Sequence, residues 1–211
     1  SDIGEINKEL IIIDDYSNDG TKKILEDLSK NSRFIIFFKE KNKGKGDSVR
    51  VGMERATGDF VIIQDADMEY DPDEYKYLLG PLLQNKADVV FGSRFVGDRA
   101  HRVLFFWHYV GNKLLTLLSN IFTNLNLTDM ETCFKIFTKD AVKKILPEIR
   151  SKRFGIEPEI TVLVSVFGLR VYEVGISYFG RTYEEGKKIS WKDGFVAIWT
   201  ILKTKARFIF K

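Results

Sequence analysis

An acidic pair, Asp65 and Asp67, follows a short apolar segment at residues 60–63 that is typical of a buried strand. Because side chains alternate along an extended chain, we expect both carboxylates on the same side of it. Two carboxylates in this arrangement can hold Mg²⁺ or Mn²⁺, whose shell is completed by water and by the phosphate oxygens of a diphosphate-linked substrate. Taken alone, the Asp-Ala-Asp triplet at residues 65–67 fits a solvated acidic turn equally well.

A second acidic pair, Asp14 and Asp15, ends an earlier apolar run at residues 10–13. Strand-like and helix-like segments alternate over the first ninety residues, which predicts an α/β fold with a Rossmann-like, mostly parallel sheet covered by helices. In such sheets ligands bind beyond the carboxyl ends of the strands. The sequence therefore predicts that the two acidic pairs converge on one crevice. The segments behind this prediction are strands at 10–13, 34–38, 60–63 and 87–91, and helices at 21–28, 47–56 and 71–83.

The second half of the chain is more helical. It predicts helices at 103–122, 139–146 and 158–167 and strands at 171–174 and 176–179, with few clear elements at 125–137. Since repeats and linker-like stretches are absent, we expect one domain over residues 1–211. Within it we expect a nucleotide-sugar half (1–97), an acceptor half (98–190) and an amphipathic C-terminal helix (191–211).

Composition narrows the possible partners. Lys and Arg outnumber Asp and Glu by 33 to 30, and a net charge of +3 is no signature of nucleic-acid binding. The single cysteine, Cys133, excludes an internal disulfide and favours a reducing, cytoplasmic compartment. Neither a signal-peptide pattern nor an apolar run of about 20 residues is present, so we expect any membrane contact to be peripheral.

Several motifs, in order, resemble glycosyltransferase family 2, whose domain has the GT-A fold. They are residues 14–21 (DDYSNDGT), 42–46 (NKGKG), 57–67 (TGDFVIIQDAD) with Asp71-Pro72, 92–95 (GSRF), 128–135 (TDMETCFK) and 154–160 (FGIEPEI). Within the family, the sequence is most similar to polyprenyl-phosphate sugar synthases such as dolichyl-phosphate mannose synthase. The resemblance implies transfer of a sugar from a UDP- or GDP-linked donor to a lipid phosphate.

The resemblance also implies roles for individual residues. Asp14 and Asp15 contact the nucleoside, Asp65 and Asp67 hold Mg²⁺ or Mn²⁺, and the donor crevice is lined by Lys43, the stretch from Gly44 to Gly46, and Ala66. The acceptor phosphate is met by Arg94, Arg102 and Arg181, since arginine forks suit phosphate oxygens. Both glycines also fit an ordinary turn, and the arginines also fit an ordinary charged surface.

The acceptor decides whether a base is needed. A phosphate is already anionic, whereas a sugar hydroxyl must lose a proton to a carboxylate. The candidate bases are Asp129, Glu157 and Glu159, each of which also fits a structural role; for the two glutamates that is a place near a helix N-terminus.

Two other functions stay open. A sugar nucleotidyltransferase would carry a glycine-rich loop near its N-terminus, and none is present in this sequence. An inactive glycan-binding homologue would lose the metal carboxylates, which are retained.

The sequence departs from the family pattern in two places. Family members also begin with a strand and a helix that have no counterpart before Leu10, and Tyr16 stands where glycine or asparagine is common.

The C-terminal segment has two parts. We expect its apolar stripe to pack on the core, as amphipathic helices usually do. We expect the basic and aromatic residues after it to bind an anionic membrane surface. The stripe consists of Trp191, Phe195, Ile198, Trp199 and Leu202, and the residues after it are Lys203, Lys205, Arg207, Phe208, Phe210 and Lys211.

Overall fold

Strands and helices alternate along the computed structural model, which describes residues 6–97, 100–103, 105–182, 184–185 and 191–209. The strands are β1 Leu10–Asp14, β2 Phe34–Phe38, β3 Phe60–Ile63, β4 Val89–Ser93, β5 Lys135–Thr138 and β6 Val171–Gly175. The helices are α1 Thr21–Leu28, α2 Lys45–Arg55, α3 Tyr75–Leu83, α4 Phe106–Thr123, α5 Lys139–Ile145, α6 Ile156–Val166 and α7 Trp191–Ile209. Short 3₁₀ turns span Pro72–Glu74 and Leu146–Glu148.

The strands form a parallel pair, β1–β2, and a mixed sheet in the order β3-β5-β4-β6. Strand β5 is antiparallel to both of its neighbours, and β4 and β6 are parallel. The sequence did not predict β5, because a lysine interrupts its apolar pattern. Lys135 is nevertheless buried, and its ammonium donates to the carbonyls of Met130 and Thr132.

The predicted strand at 176–179 is wrong. Ile176 donates its N–H to the Ser93 carbonyl, and Tyr178 forms only an isolated bridge with His101. This segment continues from the end of β6 alongside the end of β4 and the residues after it. It therefore brings Tyr178 close to residues that follow β4.

The mixed sheet is buried on both faces, as expected for a sheet with helices on each side. Val89, Phe91 and Phe137 pack on one side with residues of α5 and α6. Val90 and Ile136 pack on the other with residues of α3. The sheet core thus fixes the ends of β3 and β4, from which the predicted site residues extend.

Helix α7 corrects the prediction for the C-terminal stripe. Its buried residues are Ala197, Ile201 and Thr204, whereas Trp191, Phe195, Trp199 and Leu202 are exposed and Ile198 is partly buried. Small residues on the inner face allow close packing: a Cβ on Gly194 would lie 3.9 Å from a methyl of Leu115 in α4. The wide aromatic face is left outside.

The basic end of α7 also differs from the expectation. Arg207 points inward and donates to the Glu148 carbonyl and to Glu159, and Lys205 is partly buried. Lys203 is exposed, and Phe210 and Lys211 lie outside the described residues. Among the described residues, none of the helices combines the length and hydropathy needed to cross a bilayer.

Because β5 lies in the middle of the mixed sheet, we expect truncation of one of its buried side chains to lower the stability of the protein strongly. Ile136→Ala is expected to lower the free energy of unfolding by about 2–5 kcal/mol, because its side chain is fully buried and a cavity would remain. Urea unfolding followed by circular dichroism measures this. Ile24→Ala, at a side chain that is 63% exposed on α1, is the control and should change stability by less than about 0.5 kcal/mol.

Candidate active site

Lys45, the first residue of α2, joins three segments at one point. Its ammonium lies 2.7 Å from Asp65 Oδ2, 2.8 Å from Glu157 Oε1 and 2.6 Å from Cys133 Sγ. Burial favours the neutral amine, but Glu157, Cys133 and Asp65 outweigh it and raise the pKa of Lys45 well above its usual value. The ammonium is therefore a fixed positive charge beside the acidic pair.

The sequence interpretation included Lys45 only as part of the segment 44–46 that lines the donor crevice, and it did not predict the contact with Asp65. One signal was available, because a lysine in the first turn of a helix opposes the helix dipole and needs a nearby acidic partner. The motif at 42–46 drew attention to Lys43 instead, which is exposed.

Asp67 is held by a second cation. Arg181 Nη2 lies 2.7 Å from Asp67 Oδ2, and its Nε donates to Glu69 Oε1 at 3.1 Å. Burial raises the pKa of Asp67, and the carboxylates of Glu69 and Asp65 raise it further, against the backbone N–H of Glu69 and the charge of Arg181. An added cation would relieve this repulsion.

The acidic pair fits a divalent metal. Asp65 and Asp67 supply hard oxygen ligands, and each engages its neighbouring cation through Oδ2, which leaves further acceptor positions. Within the described residues, no group of three or more His, Cys, Asp or Glu could hold a metal. Two carboxylates are nevertheless sufficient for Mg²⁺ or Mn²⁺ that also binds water and substrate phosphates. Ala66 between them is exposed.

Asp15 organises the loop before α2. It accepts the N–H groups of Lys43 at 2.9 Å and Gly44 at 2.6 Å and the ammonium of Lys39 at 2.9 Å. Burial raises the pKa of its carboxyl, but these donors outweigh burial and lower it overall. Asp14 is buried and accepts the N–H of Ser17.

Gly44, just before α2, and Gly46, in its first turn, face protein backbone. Gly44 has a φ of +93°, and a Cβ on it would lie 2.5 Å from the carbonyl oxygen of Lys152. A Cβ on Gly46 would lie 2.3 Å from that of Ser151. Glu159 accepts the N–H groups of Arg150 and Ser151 and so holds the opposing loop. The close approach that these glycines permit is therefore between the start of α2 and the loop that Glu159 holds, and Glu159 has a structural role.

An open depression lies next to Asp15, at the carboxyl ends of β1 and β2. Its volume is about 410 Å³, and Tyr16 stands exposed at its edge. The depression is lined by Asp14, Tyr16, Ser17, Asn18, Lys22, Phe38, Lys39 and Glu40.

Arg94 and Asp129 form a bidentate pair at the end of β4. Arg94 Nε lies 2.6 Å from Oδ2 and its Nη2 lies 2.7 Å from Oδ1, and the Arg94 N–H also donates to Oδ2. Asp129 is fully buried, which raises the pKa of its carboxyl, but Arg94 outweighs burial and lowers it overall. A carboxylate held in this way is a weak proton acceptor.

Tyr178 connects the arginines that the sequence singled out. The Arg94 guanidinium lies 5.1 Å from its ring centroid, its hydroxyl donates to Glu69 Oε2 at 3.0 Å, and its carbonyl accepts the N–H of Arg102. Through Glu69 it reaches Arg181. Arg102 itself pairs at the surface with Glu185 at 2.7 Å. The basic segment at 186–188 lies outside the described residues.

Comparison with known proteins identifies the family of this chain. The chain matches the model of a family described as "Glycosyl transferase family 2" over residues 3–146. The chain belongs to glycosyl transferase family 2. This family-2 glycosyltransferase is 25% identical over 212 residues to a UDP-N-acetylglucosamine–dolichyl-phosphate N-acetylglucosaminyltransferase of Methanococcus voltae, with 93% of this chain and 84% of the relative covered. It is 28% identical over 177 residues to a dolichyl-phosphate beta-glucosyltransferase of Trichomonas vaginalis, with 81% of this chain and 54% of the relative covered.

Solved structures agree on the fold. Glucosyl-3-phosphoglycerate synthase of Mycobacterium tuberculosis, in complex with phosphoglyceric acid, superposes with a TM-score of 0.66 at 18% identity, over 93% of this chain and 68% of the other. The same enzyme in complex with Mn²⁺, uridine-diphosphate and glucosyl-3-phosphoglycerate superposes with a TM-score of 0.65 at 18% identity, over 94% and 69%. The predicted family, enzyme class, GT-A fold and likeness to polyprenyl-phosphate sugar synthases are thereby confirmed.

Near the Arg94–Asp129 pair, this glycosyltransferase has a partly buried glutamate that the sequence did not single out. Glu131 Oε1 is buried without a hydrogen-bond partner among the described residues. Burial, with the charge of Glu157, raises the pKa of Glu131 from 4.5 to about 8. Glu131 is therefore protonated in the folded protein at neutral pH.

This buried acid predicts a pH-dependent stability. Between pH 4.5 and about 8 the folded state keeps a proton on Glu131 that the unfolded chain releases, so stability falls as pH rises through this window and levels off above it. The slope from one such group is about 1.4 kcal/mol per pH unit. Glu131→Gln should remove this part of the slope, so its stability relative to the unaltered protein should increase up to about pH 8. Chemical unfolding across this range tests the difference, with Glu26→Gln on exposed α1 as the control; parallel curves for all three proteins would contradict it.

Proposed function

We propose that this glycosyltransferase moves a sugar from a nucleotide-sugar to a polyprenyl phosphate with the help of Mg²⁺ or Mn²⁺. The observation that carries the proposal is the contact between an acidic and a basic cluster. Arg181 binds Asp67 on one side and, through Glu69 and Tyr178, connects to Arg94 on the other. The carboxylate proposed to bind the metal would therefore lie beside the arginines proposed to bind the acceptor phosphate.

The donor would lie along the ends of β1 and β3. The depression beside Asp14 and Asp15 has room for a nucleoside, and Tyr16 offers an exposed ring for its base. The diphosphate would then reach Lys45 and the carboxylates of Asp65 and Asp67, which would hold the metal. When bound, the metal supplies positive charge that stabilises the departing nucleoside diphosphate. The M. voltae relative is named for a UDP-linked donor, and the mycobacterial enzyme was solved with Mn²⁺ and uridine-diphosphate.

The acceptor phosphate would be positioned by Arg94 and Arg181, with Arg102 at the rim. One of its oxygens attacks the anomeric carbon, and the bond from that carbon to the nucleoside diphosphate breaks with its electron pair leaving on the diphosphate. A phosphate oxygen is already anionic, so no strong base is needed, in keeping with the lowered pKa of Asp129. Both relatives are named for dolichyl phosphate acceptors. Residues 1–97 would thus form most of the donor half and 98–190 most of the acceptor half, with Arg94 contributed to the acceptor by the first half.

Loss of one metal carboxylate should weaken donor binding. Asp67→Asn is expected to reduce Mn²⁺-dependent affinity for UDP or GDP by about tenfold or more, equivalent to at least about 1.4 kcal/mol, with a smaller loss for Asp65→Asn. The melting temperature should not fall, because the substitution removes a partly buried charge. Titration calorimetry with and without Mn²⁺ measures the affinity, with exposed Asp73→Asn as control. Equal Mn²⁺-dependent affinity in Asp67→Asn and the unaltered protein would exclude the metal role.

Arg94 should act on the acceptor. Arg94→Lys keeps the charge beside Asp129 but loses the guanidinium fork, so we expect the KM for a polyprenyl phosphate to rise about tenfold while nucleotide affinity stays within about twofold. Steady-state transfer assays measure both. Arg170→Lys is the matched control, because Arg170 forms a similar fork with Asp88 away from the site. Transfer to a soluble saccharide at the same rate as to the lipid phosphate would contradict the acceptor assignment.

A further inference from the structure

Helices α4 and α7 expose wide apolar faces. The exposed apolar side chains of α4 are Phe106, Trp107, Tyr109, Val110, Leu114, Leu117, Ile121 and Phe122, and those of α7 are Trp191, Phe195, Val196, Trp199, Leu202 and Ile209. The two helices pack against each other, with Leu115 of α4 beside Gly194 of α7. We refer to these exposed side chains together as the α4–α7 face.

Compared with a helix whose outer side faces water, α4 has its polar and apolar sides exchanged. Its buried residues are Thr116, Ser119 and Thr123, and two of their hydroxyls are bonded: Thr116 accepts the N–H of Met130, and Thr123 donates to the Ser119 carbonyl. The outer side instead carries leucine, isoleucine and aromatic rings. Water-exposed apolar area of this extent is unfavourable and marks an interaction surface.

The charges on this face have one sign. Among the described residues of α4 and α7, the exposed charged side chains are Lys192 and Lys203, and the exposed set contains no carboxylate. Asp193 of α7 is partly buried, so a second copy of the face would mainly oppose lysines to lysines. An anionic surface with an apolar interior complements both the lysines and the rings, because aromatic side chains favour the boundary between lipid headgroups and acyl chains.

The face adjoins the acceptor side of the site. Tyr109 of α4 packs edge-on against Phe95 with their ring centroids 5.3 Å apart, and Phe95 directly follows Arg94. Lys113 lies over the same ring and donates to the Thr128 carbonyl, next to Asp129. A bilayer in contact with α4 would therefore present lipid phosphates close to Arg94.

We propose that the α4–α7 face docks on an anionic lipid bilayer, with its rings at the headgroup boundary and with Lys192 and Lys203 against anionic headgroups. The proposal rests on the proposed function, because a lipid-linked acceptor gives the contact its purpose. It also relocates the membrane contact from the last residues of the chain, where Arg207 is turned inward, to the exposed side of two helices.

Sedimentation with vesicles tests the docking. The intact chain should pellet with vesicles of equal phosphatidylglycerol and phosphatidylcholine, and less so at high salt or with phosphatidylcholine alone. The double variant Leu117→Glu/Trp199→Glu, at side chains that are 56% and 65% exposed, should bind at least about tenfold more weakly while circular dichroism stays unchanged. Ile24→Glu is the matched control, with similar exposure on α1, and should pellet like the intact chain. Lys192→Glu/Lys203→Glu should weaken binding to the anionic vesicles alone, by about fivefold for each basic residue lost.

Further measurements separate this proposal from the proposed function. Asp67→Asn should pellet normally, and the Leu117→Glu/Trp199→Glu variant should transfer sugar to a short, water-soluble polyprenyl phosphate at the normal rate. Normal pelleting without any such transfer would overturn the proposed acceptor while leaving docking intact. Intact chain that stays in the supernatant at low salt would overturn docking. So would a dimer in analytical ultracentrifugation that Leu117→Glu dissociates, since the face would then bind a second copy.

Discussion

The arrangement around the Lys45 ammonium is the constraint on which the site depends. Lys45 begins α2, Asp65 follows β3, Cys133 precedes β5 and Glu157 lies in the first turn of α6, and one charge holds them together. Without this ammonium, the carboxylates of Asp65 and Glu157 would repel one another at partly buried positions. The contact therefore fixes the helix start, the acidic strand end and α6 relative to one another before any ligand binds.

Opposite charges alternate from this point across the site. Asp67 meets Arg181, Arg181 meets Glu69, and Tyr178 links Glu69 to the guanidinium of Arg94, which is itself locked by Asp129. Each side chain is oriented by the next, so little reorganisation is needed when charge moves during a reaction. The same pairing lowers the pKa of Asp129 and makes it a positioning partner of Arg94, whereas burial raises the pKa of the nearby Glu131.

The α4–α7 face differs from the rest of the protein in the placement of its apolar side chains. Elsewhere the mixed sheet buries its apolar residues on both faces, but α4 buries hydroxyls and exposes leucine and tryptophan. The inner hydroxyls tolerate burial because backbone groups satisfy Thr116 and Thr123. The outer side is complemented by an apolar environment such as the lipid bilayer proposed above.

The sequence by itself determined the α/β class and the family, and it predicted the acidic and basic residues of the candidate site, because strand periodicity and motif order are local properties of the chain. Local pattern could not reveal β5, since a strand with a buried lysine depends on carbonyls that fold around its ammonium. Nor could it show that Lys45, rather than Lys43, faces Asp65, or that Gly44 and Gly46 accommodate the loop at 151–153. The periodicity of α7 correctly predicted an amphipathic helix. Which of its sides packs on the protein depends on the small residues of the inner side, such as Gly194 and Ala197, because they let the neighbouring helices approach. Pairings between distant segments and the choice of the buried face depend on the tertiary structure, because they are set by the partners that each side chain meets.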